Sequence, residues 1–126
     1  MFKNLLILTA TLFCLSCSSD DVASKESDFL ELALRLDTLK QELAQTACVA
    51  TSDWSFVAYG AKACGGPQGF IAYPINALAT TFLTRLQAYT VFENELNLKW
   101  GVTSDCSVNL PPDSVQCIDG VPVLIY

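Results

Sequence analysis

The chain contains no histidine. Histidine is the commonest general base near neutral pH, the usual partner of a nucleophilic cysteine and a frequent metal ligand, so its absence removes most familiar hydrolase and metalloprotein constellations. Basic residues are scarce as well, seven against thirteen acids. A surface of that sign repels phosphates, which argues against nucleic acid as a partner. No C-x-x-C pair occurs, and the last four cysteines stand 16, 42 and 11 residues apart, spacings that do not suit a zinc site. Lys62 precedes the glycines at 65, 66 and 69 instead of following them, so they form no phosphate loop of the G-x-x-x-x-G-K-[ST] type. No repeat or low-complexity tract is present. Neither a metal nor a cofactor is expected.

What is present begins with Lys3 and an apolar run over 5–15. That run has the length of a signal-peptide core and is too short to span a bilayer of roughly 30 Å. It ends in LFCLSCSSDD, residues 12–21, where Ser16 is followed at once by Cys17 and then by serines and aspartates. This stretch resembles a bacterial lipobox, with Cys14 at the place where the family pattern prefers leucine. The resemblance implies that Cys17 is alkylated with diacylglycerol, that the chain is cut before it, and that its new amino terminus is acylated with a palmitate-type chain, while Cys14 leaves with the signal. The serine and acid cluster resembles Bacteroidetes-type lipoproteins. It implies a membrane anchor in the cell envelope, at the outer membrane and facing the surface.

The expected organisation is a signal peptide over 1–16, a lipidated cysteine and polar tether over 17–26, and one domain over 27–126. A body of that size closes a core but stays marginal, so covalent staples matter. Once Cys14 and Cys17 are set aside, Cys48, Cys64, Cys106 and Cys117 remain. An even number in an exported chain reads as two disulfides. Four cysteines allow three connectivities, and the two shortest loops favour Cys48 with Cys64 and Cys106 with Cys117. The mature chain would keep six basic residues against thirteen acids, a formal charge of −7.

Phe29, Leu32, Leu36, Leu39 and Leu43 recur every three or four residues and predict a helix over 28–47, capped at Ser27. Leu30 and Leu34 fall on its other side and are expected to meet a second packing surface within the domain, with a partner-binding patch as the alternative. Leu78, Phe82, Leu86, Tyr89, Phe92, Leu96 and Trp100 predict a second helix over 77–100, opened by Asn76 and closed by Gly101. Arg85 and Glu93 lie in or beside this stripe, and long charged side chains there are expected to reach out to water. WSFVAYG and GFIAY read as short strands. Asp119 and Gly120 between apolar runs predict a hairpin, with Pro122 at an edge or bulge. The fold class expected is α+β, with two helices packed on a small antiparallel sheet and two disulfides.

Catalytic signals are thin. Glu93 and Glu95 point about 200° apart on a helix and form no carboxylate pair, and nothing selects a pair from Asp53, Asp105 or Asp113. An enzyme is not expected. The densest signal is SDWSFVAYGAKACGGPQGFIAY, residues 52–73, where glycines and Pro67 set turns that Cys64 would pin. GAKACGGP followed by a later SDC resembles uncharacterised secreted or lipid-anchored bacterial domains over about half the chain, a resemblance that carries no activity. The candidate binding residues are Trp54, Tyr59, Lys62, Gly65 and Gly66: rings to stack on a sugar or peptide, or core aromatics, and a lysine on a constrained loop. The function expected is a non-enzymatic, lipid-anchored module that binds a protein, peptide or glycan. The alternatives are a protease-inhibitor-like module using the Lys62 loop and a small hydrolase without histidine.

Overall fold

The computed structural model describes residues 19–126, so residues 1–16, expected as a signal peptide, and Cys17 lie outside the described residues. The first helix, α1, is Ser19–Ala44. Its stripe behaves as the spacing predicts: Leu32 and Leu39 are buried, and Phe29, Leu36 and Leu43 pack against them. Its bounds differ from the expected 28–47. The stretch before Ser27 holds neither Gly nor Pro to stop a helix, and exposed residues 22–26, expected as tether, continue it. At the other end Gln45 and Thr46 donate back to the carbonyls of Glu42 and Leu43, tightening the last turn and closing the helix before 47.

The second helix, α2, is Ala79–Trp100. The Asn76 side chain accepts from the Leu78 amide at 2.9 Å, and Gly101, with φ 58°, ends the helix as a left-handed cap. Phe82, Leu86, Tyr89 and Leu96 face the α1 stripe. The two helices run antiparallel, tied by Arg85 to Glu42 at one end and by Lys99 and Trp100 to Asp28 at the other. Hydrogen bonds from Lys99 and Trp100 hold the Asp28 carboxyl below its usual range. No helix among the described residues is long and apolar enough to cross a membrane.

Among the described residues, four strands form two hairpins instead of one sheet. Strands β1 (Trp54–Tyr59) and β2 (Gly69–Pro74) pair antiparallel, with Trp54 opposite Pro74 and Tyr59 opposite Gly69. Strands β3 (Ser114–Ile118) and β4 (Val121–Ile125) pair across Asp119 and Gly120, whose φ values of 51° and 79° suit a type I′ turn. Pro122 lies on β4, which has β3 as its only strand partner among the described residues.

The strand period of two sorts the first hairpin onto two layers. Val57, Tyr59, Ile71 and Tyr73 face the helices, whereas Trp54, Phe56 and Ala72 face Val115, Cys117 and Leu124 of the second hairpin. The order of layers is therefore helix pair, hairpin, hairpin. Both faces of the β1–β2 hairpin are covered, and this is why its strands are apolar on both sides.

Two disulfides form, joining Cys48 to Cys117 and Cys64 to Cys106. This corrects the pairing favoured by loop length. Cys48 follows α1 and its amide donates to Gly120, which places it against the second hairpin and beside Cys117. Cys64 sits at the β1–β2 loop, next to the segment that leaves α2. Packing sets the partners here, and chain closure only adds to what packing has chosen.

Candidate functional site

The loop over 60–68 joins β1 to β2 and is clamped from two sides. Gly60 starts it with φ 76°; a Cβ there would lie 2.6 Å from Gln68 Cγ and 2.7 Å from Glu93 Oε2, so the close approach requires glycine. Thr90, Glu93 and Asn97 face the loop from α2. The Gly60 amide donates to Thr90 Oγ1 at 3.0 Å and the Ala61 amide to Glu93 Oε2 at 2.7 Å. Asn97 Nδ2 donates to the Ala61 carbonyl at 2.7 Å, and Gln68 Nε2 to Glu93 Oε1 at 3.0 Å.

Glu93 and Asn97 are buried. The expectation that Glu93 reaches water is thus corrected: two amide donors of the loop replace its hydration shell. Arg85 does reach the surface, as expected. Behind the loop, burial and then the charge of Glu93 raise the phenol pKa of both Tyr59 and Tyr89 above the usual tyrosine value.

The second clamp comes from residues 104–109. Lys62 is buried, and its ammonium donates to Ser107 Oγ at 2.7 Å, to the Ser107 carbonyl at 2.9 Å and to Asp105 Oδ1 at 3.2 Å. Hydrogen bonds from the Ser107 amide and hydroxyl, then from Lys62, hold the Asp105 carboxyl low. Asn109 Nδ2 donates to the carbonyls of Pro67 and Gln68. The Cys64 amide donates to Ser104 Oγ, and the Cys64–Cys106 bridge completes the clamp.

These contacts revise the list of candidate binding residues. Trp54 is only 6% exposed and packs with Cys48, Ala72 and Val115, so it belongs to the core between the hairpins. Lys62 is internal and presents no charge to a partner. Its contact with Ser107 is not arranged as a serine–base pair either, because Lys62 Nζ donates to Ser107 Oγ while the serine hydroxyl donates to Asp105 Oδ2. Tyr59 is half-buried against the helices, its ring centroid 6.4 Å from that of Tyr89. Gly65 and Gly66 are exposed at the tip, with φ 94° and 85°, beside a cleft of about 180 Å³. Leu30 and Leu34 are 61% and 57% exposed, so no second packing surface of the domain covers them.

A groove of about 520 Å³ runs beside this loop, lined by Tyr59, Gln68 and Phe70 on one side and by Val108, Asn109, Leu110 and Tyr126 on the other. Val108, Leu110 and Tyr126 are strongly exposed. A cleft of about 210 Å³ between the helix ends is smaller, and the ion pair in its lining already joins Glu42 to Arg85. Among the described residues no group of three or more His, Cys, Asp or Glu is placed to hold a metal. Of the groove's lining, the list of candidate binding residues held only Tyr59, although Phe70 also lay among the aromatics of the 52–73 segment. The spacing of Thr90, Glu93 and Asn97, polar residues seated inside an apolar stripe, was the available signal for the clamp.

Replacing Glu93 with alanine is expected to cost about 2–3 kcal/mol, because two partly buried donors lose a charged acceptor. Urea denaturation measures the loss, and amide exchange at Ala61 should accelerate in parallel. A change under about 0.5 kcal/mol, the size of an ordinary surface substitution, would refute the clamp. Compared with known protein families, curated proteins and solved structures, the chain matches none.

Proposed function

We propose that this chain is a lipid-anchored envelope protein, held in the membrane through Cys17 and exposed at the cell surface, whose domain is a non-enzymatic binding module. The observation that carries the binding reading is the groove beside the 60–68 loop. Its loop wall is fixed by α2, by residues 104–109 and by a disulfide, so that wall loses little conformational entropy when a ligand docks. Exposed apolar side chains alternate there with amide and phenol groups, the mixture that gives a site both contact area and orientation. The anchor reading rests on the residues around Cys17. A helix rising from the anchor would carry the groove clear of the membrane, since each residue adds about 1.5 Å.

Two measurements test the proposal. Fatty-acid labelling and membrane retention are expected to disappear in Cys17→Ser; unchanged labelling and retention would overturn the anchor. A diazirine side chain at Val108 on intact cells is expected to give adducts that the same group at Leu30 does not. Equal adducts at both positions, or none, would overturn the groove as the binding face.

A further inference from the structure

We infer that the groove beside the 60–68 loop takes a neutral oligosaccharide. This rests on the binding reading above and names its ligand class.

The polar atoms of the groove carry the inference. Asn109 Nδ2 is held by two backbone carbonyls, and Gln68 Nε2 is held by Glu93. Each amide is thereby oriented by its nitrogen, and Asn109 Oδ1 and Gln68 Oε1 accept no hydrogen bond among the described residues. The phenols of Tyr59 and Tyr126 are likewise unpaired among the described residues, and a phenol both donates and accepts. Ring surface comes from Tyr59, Phe70 and Tyr126, and aliphatic surface from Val108 and Leu110. Two fixed acceptors, two reversible hydroxyls and ring faces match a ligand with dense hydroxyls and apolar C–H faces.

Other ligand classes fit less well. No charged side chain lines the groove among the described residues, so an ionic ligand finds no side chain of opposite charge there. A purely apolar ligand would strip water from four polar groups without replacing it. On the loop wall, a peptide adding as a strand meets backbone that is already engaged: Tyr59 and Gly69 pair with each other, and the carbonyls of Tyr59, Pro67 and Gln68 are bonded to the Gln68 amide and Asn109.

The test uses the full chain in detergent, titrated by calorimetry with the neutral hexamers maltohexaose, cellohexaose and chitohexaose, with hexagalacturonate as the charged counterpart and with a pool of uncharged decapeptides. At least one neutral hexamer is expected to bind and hexagalacturonate to bind about tenfold more weakly. Tyr126→Ala should weaken the neutral sugar about tenfold, Tyr126→Phe less than about threefold, and Leu30→Ala not at all. Tyr126 is 71% exposed, so its variants are expected to melt as the parent does. Peptide binding that depends on Tyr126, with no sugar binding, would overturn the oligosaccharide and leave the binding module standing. Binding of neither probe overturns both, and sugar binding indifferent to Tyr126→Ala overturns this groove as its site.

Discussion

Trp54→Ala is expected to destabilise the domain by about 3–5 kcal/mol, the cost of emptying a large aromatic site in a core. Trp54 opens β1 opposite Pro74 and packs with Cys48, Ala72 and Val115 where the two hairpins meet. Collapse around the void is opposed on every side: Cys48 is bridged to Cys117, Ala72 is held in the β1–β2 ladder, and Val115 is paired with Leu124. The surrounding atoms therefore cannot close in, and the cavity term is retained. A domain of this size has about 5–15 kcal/mol in total, so the variant should melt on the order of 20 °C lower. Urea denaturation of the variant gives the number. A loss below about 1 kcal/mol would mean that the hairpin interface is not a core and would return Trp54 to the candidate binding residues.

The second large effect concerns the disulfides, whose sequence separations are 69 and 42 residues. In the chain-entropy model both loops are worth about 4 kcal/mol each, because the length dependence is logarithmic. Their native surroundings separate them. Cys48 is buried among the residues around Trp54, so Cys48→Ala with Cys117→Ala removes core contacts as well as the crosslink. Loss near 5 kcal/mol is expected, enough to leave a marginal domain largely unfolded. Cys64→Ala with Cys106→Ala acts at the surface, where Glu93, Asn97, Lys62 and Asn109 still hold the loop. That pair should cost less, keep the fold, and show its effect as weaker ligand binding through a looser groove wall. Non-reducing peptide mapping should recover Cys48 with Cys117 and Cys64 with Cys106. Recovery of Cys48 with Cys64, or equal destabilisation by the two double variants, would contradict this account.

Local periodicity made the helices legible. A stripe at three- and four-residue gaps requires only neighbours on the same helix to be read, and both stripes pack as their spacing indicates except at Leu78, which precedes α2 and is 71% exposed. The turn at Asp119 and Gly120 was legible for the same reason, since a type I′ turn is a demand on two adjacent residues. The α+β class and the count of two disulfides also followed from the chain alone. The start of α1 was misjudged because a good capping residue at Ser27 was read as a boundary where nothing interrupts the helix.

What only the tertiary structure decided is how those elements meet. Alternation in a strand separates two faces, but it identifies the outer one only if one face is polar. Both faces of the β1–β2 hairpin are covered, so Trp54 and Tyr59 looked alike in sequence although one is core and the other reaches the groove. Cysteine pairing depends on which segments pack together, and loop length is a weak guide to that. Lys62 and Glu93 were misplaced for a related reason: a long charged side chain goes to water by default, and it stays inside only when distant backbone groups arrive to satisfy it. Those partners lie 25 to 45 residues away in the chain. No window of neighbouring residues contains them, and the groove whose walls they support came into being only when α2 and residues 104–109 closed on the 60–68 loop.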